Sequence, residues 1–243
     1  MIIRAVIFDV YNTLLEVGPR PANAEEQWQH LCNEFLGGAG RLSLAEFAKR
    51  TECLIGLEHT MAKAQGIAHP EINWPELATR ALPELSQLPY ERRDEFLFRH
   101  AQLTRSVLLS TDATEVLRFL ARENVLLGIA SNAQAYTLRE LERALDGRGL
   151  SMPMFSPELS FWSFRFGFSK PDPHVFRMLT ARLKLMNVTA AETLMVGDRL
   201  DNDILPAQGQ GWQIWQLRSA HGSAAIPGGD WRSLGSFVNR PLR

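Results

Sequence analysis

Short apolar runs alternate with amphipathic helical patterns along most of this chain, and this alternation constrains the fold more than any other feature. The runs lie at residues 5–8, 125–130, 193–196 and 213–217. Each has the length of a buried strand. Strands separated by helices favour a parallel sheet covered by helices on both faces. We therefore predict an α/β core.

Residues 18–108 differ from the rest of the chain because they carry helical patterns and no convincing strand. Ser43 and Glu46, for example, form a capping-box pattern ahead of apolar residues at helical spacing. A helical insertion directly after the first strand is typical of a separate cap. We predict a Rossmann-like parallel sheet core of residues 1–17 and 109–243, with residues 18–108 as an inserted all-helical cap domain.

Two helix starts and one aromatic segment complete the predicted core. Asp112 with Glu115 indicates one helix start, and Asp172 as N-cap with Pro173 at the first helical position indicates another. The unusually aromatic segment 154–170 is consistent either with apolar packing beneath a loop or with a substrate-facing wall.

Composition excludes several classes of partner. A formal net charge of -1 with 22% charged residues argues against nucleic acid or a membrane held by bulk electrostatics.

The first apolar run is broken by Arg4 and ends at Asp9, which is too short for a signal peptide or a membrane span. Cys32 and Cys53 lack partners at metal-ligand spacing. We expect a cytoplasmic monomer or homodimer that acts on a small molecule.

Polar side chains follow the first two predicted strands. Asp9 comes directly after the first run, with Thr13 close behind, and a carboxylate at that place can serve as nucleophile, metal ligand or helix cap. Ser131 and Asn132 follow the second run, where free backbone N–H groups at a helix start can bind an anion. Ser-Asn is also an ordinary helix cap.

Two further polar positions follow later in the chain. Lys170 stands beside a proline and a helix start, where a lysine is usually solvated. Asp198, Asp201 and Asp203 follow the third run, and their mutual repulsion implies either a cation or a solvated, capped turn. We expect all four polar positions to lie just past the carboxyl ends of parallel strands, where open α/β sheets bind ligands.

The four positions together resemble the haloacid dehalogenase superfamily, most of whose members are magnesium-dependent phosphohydrolases. "FDVYNTL" is similar to its first motif, "ASN" to its second, Lys170 in "SKPDP" to its third and "GDRLDND" to its fourth. The resemblance covers nearly the whole chain and includes a helical cap of the C1 type between the first and second motifs.

The resemblance implies a role for each residue at the phosphate. Asp9 would be the nucleophile that forms a transient aspartyl-phosphate. Thr13 and Ser131 would hydrogen-bond the transferring group, and Asn132 would lie with them at the phosphate. Lys170 would neutralise the charge of the phosphate and orient Asp9.

The resemblance also implies a Mg²⁺ site. Asp198 would bind the ion together with Asp9 and the backbone carbonyl of Tyr11. Asp203 would either support these ligands or contact the metal itself. A divalent ion is needed on physical grounds, because several carboxylates otherwise repel a phosphate dianion.

Tyr11 is the main departure from the phosphatase pattern. Phosphatases of this superfamily carry at that position an aspartate that protonates the leaving oxygen, whereas a phenol with a pKa of about 10 is a poor base near pH 7. A tyrosine there is similar to the 2-haloacid dehalogenases, whose halide leaves without a proton. Those enzymes, however, use no metal and carry uncharged residues where Asp198 and Asp203 stand. They also place an arginine where we align Gln29 and a tyrosine where we align Phe176.

We therefore predict a Mg²⁺-dependent phosphatase of a small phosphorylated metabolite, with a weakened general acid. The alternatives are a metal-independent 2-haloacid dehalogenase and a catalytically weak binding module that uses the same cleft.

Overall fold

The computed structural model describes residues 2–38, 42–218 and 226–239. Its strands are β1 (Ala5–Phe8), β2 (Glu16–Gly18), β3 (Ser106–Leu108), β4 (Leu126–Ser131), β5 (Phe155–Trp162), β6 (Thr193–Gly197), β7 (Gln213–Leu217) and β8 (Gly228–Gly229). Its α-helices are α1 (Ala24–Leu36), α2 (Leu44–Ala64), α3 (Trp74–Ala81), α4 (Tyr90–Thr104), α5 (Thr111–Arg122), α6 (Ala135–Asp146), α7 (Ser163–Phe166), α8 (Pro173–Leu185), α9 (Leu205–Gly209) and α10 (Trp231–Val238).

Six strands form one parallel sheet in the order β5-β4-β1-β6-β7-β8. The first predicted run is central, because β1 pairs with β4 on one side and β6 on the other. Phe8 is opposite Ile129 and Val196 in the two ladders. The prediction of an α/β fold with a parallel sheet is confirmed.

Alternate side chains of β1 enter two different cores, which is why the run is apolar throughout. Val6 and Phe8 pack with residues of α5, α6 and α10 on one face. Ala5 and Ile7 pack with residues of α8 and α9 on the other. A strand buried on both faces needs apolar residues at successive positions rather than an alternating pattern.

The helices α1 to α4 have an apolar core of their own. Trp28, Phe47, Leu77 and Phe96 are fully buried within it. The predicted capping box at Ser43 is present at the start of α2. The expectation that residues 18–108 contain no strand is wrong at their ends, because β2 and β3 pair antiparallel where the chain enters and leaves this region.

The core region contains two further differences from the predicted elements. The aromatic segment holds the edge strand β5, which the sequence pattern did not reveal because Pro157 interrupts it. Proline is tolerated there since an edge strand leaves N–H positions unpaired. Helix α5 is capped by Ser110, whose side chain accepts from the Ala113 N–H, rather than by Asp112. Asp172 caps α8 as predicted.

Among the residues that the structure describes, no helix is both long enough and apolar enough to cross a membrane.

Candidate active site at the carboxyl edge of the sheet

Three neighbouring strands deliver polar side chains to one edge of the sheet. Asp9 directly follows β1, Ser131 is the last residue of β4, and Asp198 directly follows β6. The three strands are adjacent, so their carboxyl ends meet at the same place. The backbone then turns sharply after Asp9, with Asn12 in the left-handed region at φ 57°.

Lys170 reaches this edge from the loop before α8, and its side chain is 2% exposed. Its Nζ donates to Asp9 Oδ1 at 2.7 Å and to Asp203 Oδ1 at 2.5 Å. The Asn132 side chain fixes the lysine backbone from both sides, because its Nδ2 donates to the Lys170 carbonyl and its Oδ1 accepts from the Lys170 N–H. The lysine is therefore held by groups from the segments that follow β1, β4 and β6.

Asp203 is fully buried and lies on an irregular π-helical turn, Leu200–Ile204. Such turns are frequent at functional sites. Its Oδ2 accepts from the Arg199 backbone N–H at 3.1 Å, so each oxygen of its carboxylate has a partner. The carboxylate packs so closely on Gly197 that a Cβ built there would lie 2.5 Å from Asp203 Cγ. Asp201, by contrast, points away from this cluster to pair with Arg199 in solvent.

Carboxylates outnumber cations at this edge. Ligand oxygens of Asp9, Asp198 and Asp203 lie within 4.8 Å of one another, and Lys170 pairs with two of these carboxylates, Asp9 and Asp203. Three carboxylates and one ammonium leave an excess of two negative charges, which a divalent cation would offset. The donor set therefore fits Mg²⁺, a cation that prefers oxygen ligands.

The pKa values of these groups reflect the crowding. Burial raises the pKa of Asp9 to about 6, with Lys170 opposing the rise and Asp203 adding to it. Burial and Asp203 also raise the pKa of Asp198. Burial lowers the pKa of Lys170, but the two contacting carboxylates outweigh burial, so the net shift is upward and the lysine stays charged.

Two hydroxyls at this edge are buried without a partner. Thr13 Oγ1 and Ser131 Oγ have no hydrogen-bond partner among the described residues, and each residue is only 1% exposed. A buried hydroxyl left unpaired costs free energy. Two such donors beside Asp9 are suited to an anionic group bound there.

The Tyr11 side chain lies in a separate network. Its hydroxyl contacts Glu140 Oε2, and because a carboxylate only accepts, the single phenol proton is donated to Glu140. Arg105 Nη2 donates to the Tyr11 oxygen at 2.5 Å, and Thr137 Oγ1 lies 2.9 Å from it. Burial raises the pKa of Tyr11 far above its usual range, with Arg105 opposing.

Glu140 is the centre of this Tyr11 network and its side chain is 1% exposed. It accepts from Arg105 Nη2 at 3.1 Å and from Gln102 Nε2 at 2.7 Å. The Arg105 guanidinium also lies over the Tyr11 ring, 4.3 Å from its centroid. One carboxylate and one guanidinium balance each other here.

The sequence profile of the haloacid dehalogenase-like hydrolases matches residues 3–211. The chain belongs to this family. The match spans β1, β4 and β6 and therefore includes Asp9, Ser131, Lys170 and Asp198. No curated protein gives a significant match.

Solved structures that resemble this haloacid dehalogenase-like hydrolase include enzymes of different names. A 2-haloacid dehalogenase from Pseudomonas syringae pv. Tomato DC3000 is 20% identical with a TM-score of 0.62, and 98% of each chain is covered. The putative HAD-hydrolase YfnB from Bacillus subtilis, bound to magnesium, is 22% identical with a TM-score of 0.54, covering 99% of this chain and all of that one.

A HAD phosphatase from Thermococcus onnurineus is 18% identical with a TM-score of 0.54, and 98% of each chain is covered. At such identities the likeness establishes the fold alone.

The structure brings the residues singled out in the sequence to one edge, except for the Tyr11 side chain and Asp201. Asp9, Thr13, Ser131, Asn132, Lys170, Asp198 and Asp203 lie there. Sequence reasoning missed Arg105 and Glu140, the partners of Tyr11. No local pattern marks them, since Glu140 is 129 residues from Tyr11 along the chain.

Proposed function

We propose that the protein is a Mg²⁺-dependent phosphohydrolase that acts on a small phosphate ester or anhydride through an aspartyl-phosphate on Asp9. The observation that carries the proposal is the excess of two negative charges in the cluster of Asp9, Asp198 and Asp203, of which Lys170 pairs with Asp9 and Asp203. A divalent cation is what such a cluster needs before it can accept a phosphate dianion.

The residues at the edge would share the work of the first step. An Asp9 oxygen would attack phosphorus while the bond to the leaving oxygen breaks and that oxygen takes the electron pair. Lys170 would hold Asp9 in place and offset charge on the phosphate, and the unpartnered hydroxyls of Thr13 and Ser131 would donate to its oxygens.

The second step is hydrolysis of the aspartyl-phosphate. Water would attack phosphorus, release phosphate and regenerate the Asp9 carboxylate. Asn132 would act as a positioning residue, because both ends of its amide hold Lys170. Asp203 would position the same lysine through one oxygen, and its carboxylate would complete the acidic cluster that the ion neutralises.

The metal ligands would be Asp9, Asp198 and the backbone carbonyl of Tyr11. Bound Mg²⁺ would supply Lewis-acid stabilisation of charge on the transferring phosphate. The backbone role of Tyr11 is independent of its side chain, whose only proton is committed to Glu140. Leaving groups that need little protonation, such as aryl and acyl phosphates, are therefore the expected substrates.

A 2-haloacid dehalogenase is the second candidate, favoured by Tyr11 and by the similarity of the fold to the Pseudomonas syringae 2-haloacid dehalogenase. Its substrate is itself an anion. Without a metal, the surplus charge of the Asp9 cluster would repel that substrate, so we rank this activity second.

The deciding experiment measures phosphate release from a panel of aryl, acyl and alkyl phosphates with Mg²⁺ and with EDTA. Halide release from 2-chloropropionate is measured under both conditions. Asp9→Asn is the inactive variant, and Asp201→Asn is its matched control because that carboxylate is exposed and pairs with Arg199.

We expect phosphate release that needs both Mg²⁺ and Asp9, and that survives Asp201→Asn. Halide release in EDTA would overturn the proposal in favour of dehalogenation. No turnover of any substrate would leave only the binding-module alternative.

A further inference from the structure

The segment between helices α2 and α3, which belongs to the predicted cap, pairs with the core just ahead of Lys170. The Glu71 N–H donates to the Gly167 carbonyl at 3.0 Å. The Ser169 N–H donates to the His69 carbonyl at 2.9 Å, so the two backbones are paired antiparallel. This pairing braces the backbone that delivers Lys170 to the carboxyl edge of the sheet.

The Glu71 carboxylate reaches two further segments of the core. Its Oε2 accepts from Ser163 Oγ at 2.5 Å, and Ser163 directly follows β5. Its Oε1 accepts from Gln134 Nε2 at 2.9 Å, and Gln134 directly precedes α6. One carboxylate of the predicted cap therefore joins the segment after β4 to the segment after β5.

The carboxylate fixes the direction of the hydrogen bonds that Ser163 makes. Because a carboxylate only accepts, the single hydroxyl proton of Ser163 is donated to Glu71. Ser163 Oγ in turn accepts from the Ala133 N–H at 2.8 Å. The contact of the hydroxyl with the Ala133 carbonyl, at 3.2 Å, cannot also receive the proton. Ala133 follows Ser131 and Asn132, so the chain of hydrogen bonds from Glu71 ends on the backbone that carries both.

The partners of the Glu71 carboxylate are buried, although Glu71 itself is only half-buried. Ser163 is fully buried and Gln134 is 9% exposed. A hydrogen bond to a charged acceptor is roughly twice as strong as a neutral one. A buried donor that loses its acceptor costs free energy, so the carboxylate favours one arrangement of both segments.

We propose that Glu71 is a positioning residue for the proposed phosphohydrolase reaction, on which this inference rests. Through Ser163, its carboxylate would hold the segment of Ser131 and Asn132 in place for the phosphate. Its backbone would hold the segment that ends at Lys170. Glu71 would not contact the phosphate itself.

The first test measures kcat and KM for 4-nitrophenyl phosphate with Mg²⁺. Glu71→Ala removes both acceptor oxygens, and we expect kcat to fall about 30-fold while KM changes less than about threefold. The loss should be in kcat because Ser131 and Lys170 would stabilise charge on the transferring phosphate.

Glu71→Gln is the conservative variant. Its amide oxygen can accept from Gln134 Nε2, and its amide nitrogen can donate to Ser163 Oγ. We therefore expect it to recover most of the activity, with kcat within about fivefold of the unmodified protein. A Glu71→Gln variant as slow as Glu71→Ala would overturn the hydrogen-bonding role.

The matched control is Glu76→Ala, which removes an exposed glutamate of the predicted cap that contacts Asn73 at the start of α3. It should leave kcat and KM unchanged. Equal kcat in Glu71→Ala and Glu76→Ala would overturn the proposal. A rise in KM with unchanged kcat in Glu71→Ala would also overturn it, because Glu71 would then act in substrate binding alone.

The second test needs no turnover and follows amide hydrogen exchange by mass spectrometry. Glu71→Ala should speed exchange about tenfold in residues 131–134 and 163–170 and leave β1 unchanged, whereas Glu76→Ala should alter neither segment. Unchanged exchange in Glu71→Ala would overturn the proposal. If the unmodified protein turns over no phosphate, the proposed function fails, while exchange still decides whether Glu71 holds these two segments.

Discussion

Two buried polar clusters surround Asp9 and Tyr11, which are two residues apart in the segment after β1. The clusters differ in how completely their charges are balanced. Around Asp9, three carboxylates face one lysine, and the hydroxyls of Thr13 and Ser131 have no partner among the described residues. Around Tyr11, one carboxylate faces one guanidinium, and both Glu140 oxygens accept hydrogen bonds.

The difference indicates which cluster performs chemistry. In the Tyr11 network the charges balance and both carboxylate oxygens are hydrogen-bonded, so it attracts no further ion, although Arg105 Nε is buried without a partner among the described residues. An unbalanced cluster with unpaired donors gains from binding a cation and an anion together. Substitutions in the two clusters should therefore separate activity from stability in opposite directions.

Asp9→Asn should show the largest effect on activity, a loss of about 10⁴-fold or more in kcat. In EDTA, Asp9→Asn should be more stable than the unmodified protein. Since the Asp9 pKa rises from 3.8 to about 6 on folding, the folded state binds the proton more tightly, and stability falls as pH rises through about 6. Asparagine removes that loss. Thermal unfolding of both proteins at pH 5 and pH 8 checks the sign, and a variant that is less stable at pH 8 contradicts it.

Glu140→Gln should show the opposite pattern. It leaves the Arg105 guanidinium, whose side chain is 21% exposed, without its ion partner, and we expect a loss of about 3 kcal/mol in the free energy of unfolding. Urea unfolding measures this loss. Glu142→Gln, an exposed glutamate on the same helix, is the control and should change stability little. If Glu140→Gln and Glu142→Gln were equally stable, the inferred contrast between the Asp9 and Tyr11 clusters would be wrong.

His100→Phe tests whether the buried surroundings of His100 exclude a charged side chain. The folded-state pKa of His100, about 4, is below its ordinary value of 6.5, so the unfolded chain takes up the proton first. Stability from this group is present above pH 6.5 and is lost as pH falls toward 4, by about 3 kcal/mol in total. Phenylalanine should remove most of that acid sensitivity, measured by urea unfolding at pH 7 and pH 4.5. His30→Gln changes an exposed histidine and is the control, because it should leave the acid sensitivity unchanged.

Gly197→Ala should have the smallest effect on stability, about 2 kcal/mol, because the new Cβ would displace the Asp203 carboxylate. The displaced carboxylate would no longer hold Lys170, so activity should fall as well. Gly209→Ala adds a Cβ in open space on α9 and is the matched control. If both variants keep wild-type activity, Asp203 does not position the lysine.

Much of the core was predictable because its causes are local. A strand that is buried on both faces must be apolar throughout, so β1 and β6 could be predicted from their apolar runs. A capping box depends on residues three positions apart, as at Ser43 and Glu46, and could be predicted for the same reason. Strand β5 was missed because its edge position, which tolerates Pro157, is a property of the whole sheet.

The candidate site was predictable to the extent that parallel strands bring their carboxyl ends together. Asp9, Ser131 and Asp198 needed only strand order to meet. The partners of Tyr11 required knowledge of how α4 and α6 pack, which no spacing in the sequence encodes. The sequence could therefore identify Tyr11 as unusual but could not show that Glu140 takes its proton.

The most direct test of the account is the dependence of kcat/KM on leaving-group pKa, measured over a series of phosphate monoesters from nitrophenols to simple alcohols. Because Glu140 holds the Tyr11 proton, we predict that log(kcat/KM) falls steeply as leaving-group pKa rises, and that Tyr11→Phe leaves this slope unchanged. A flat dependence would show that the leaving group is protonated and would contradict the account, and a slope that steepens in Tyr11→Phe would show that Tyr11 supplies the proton.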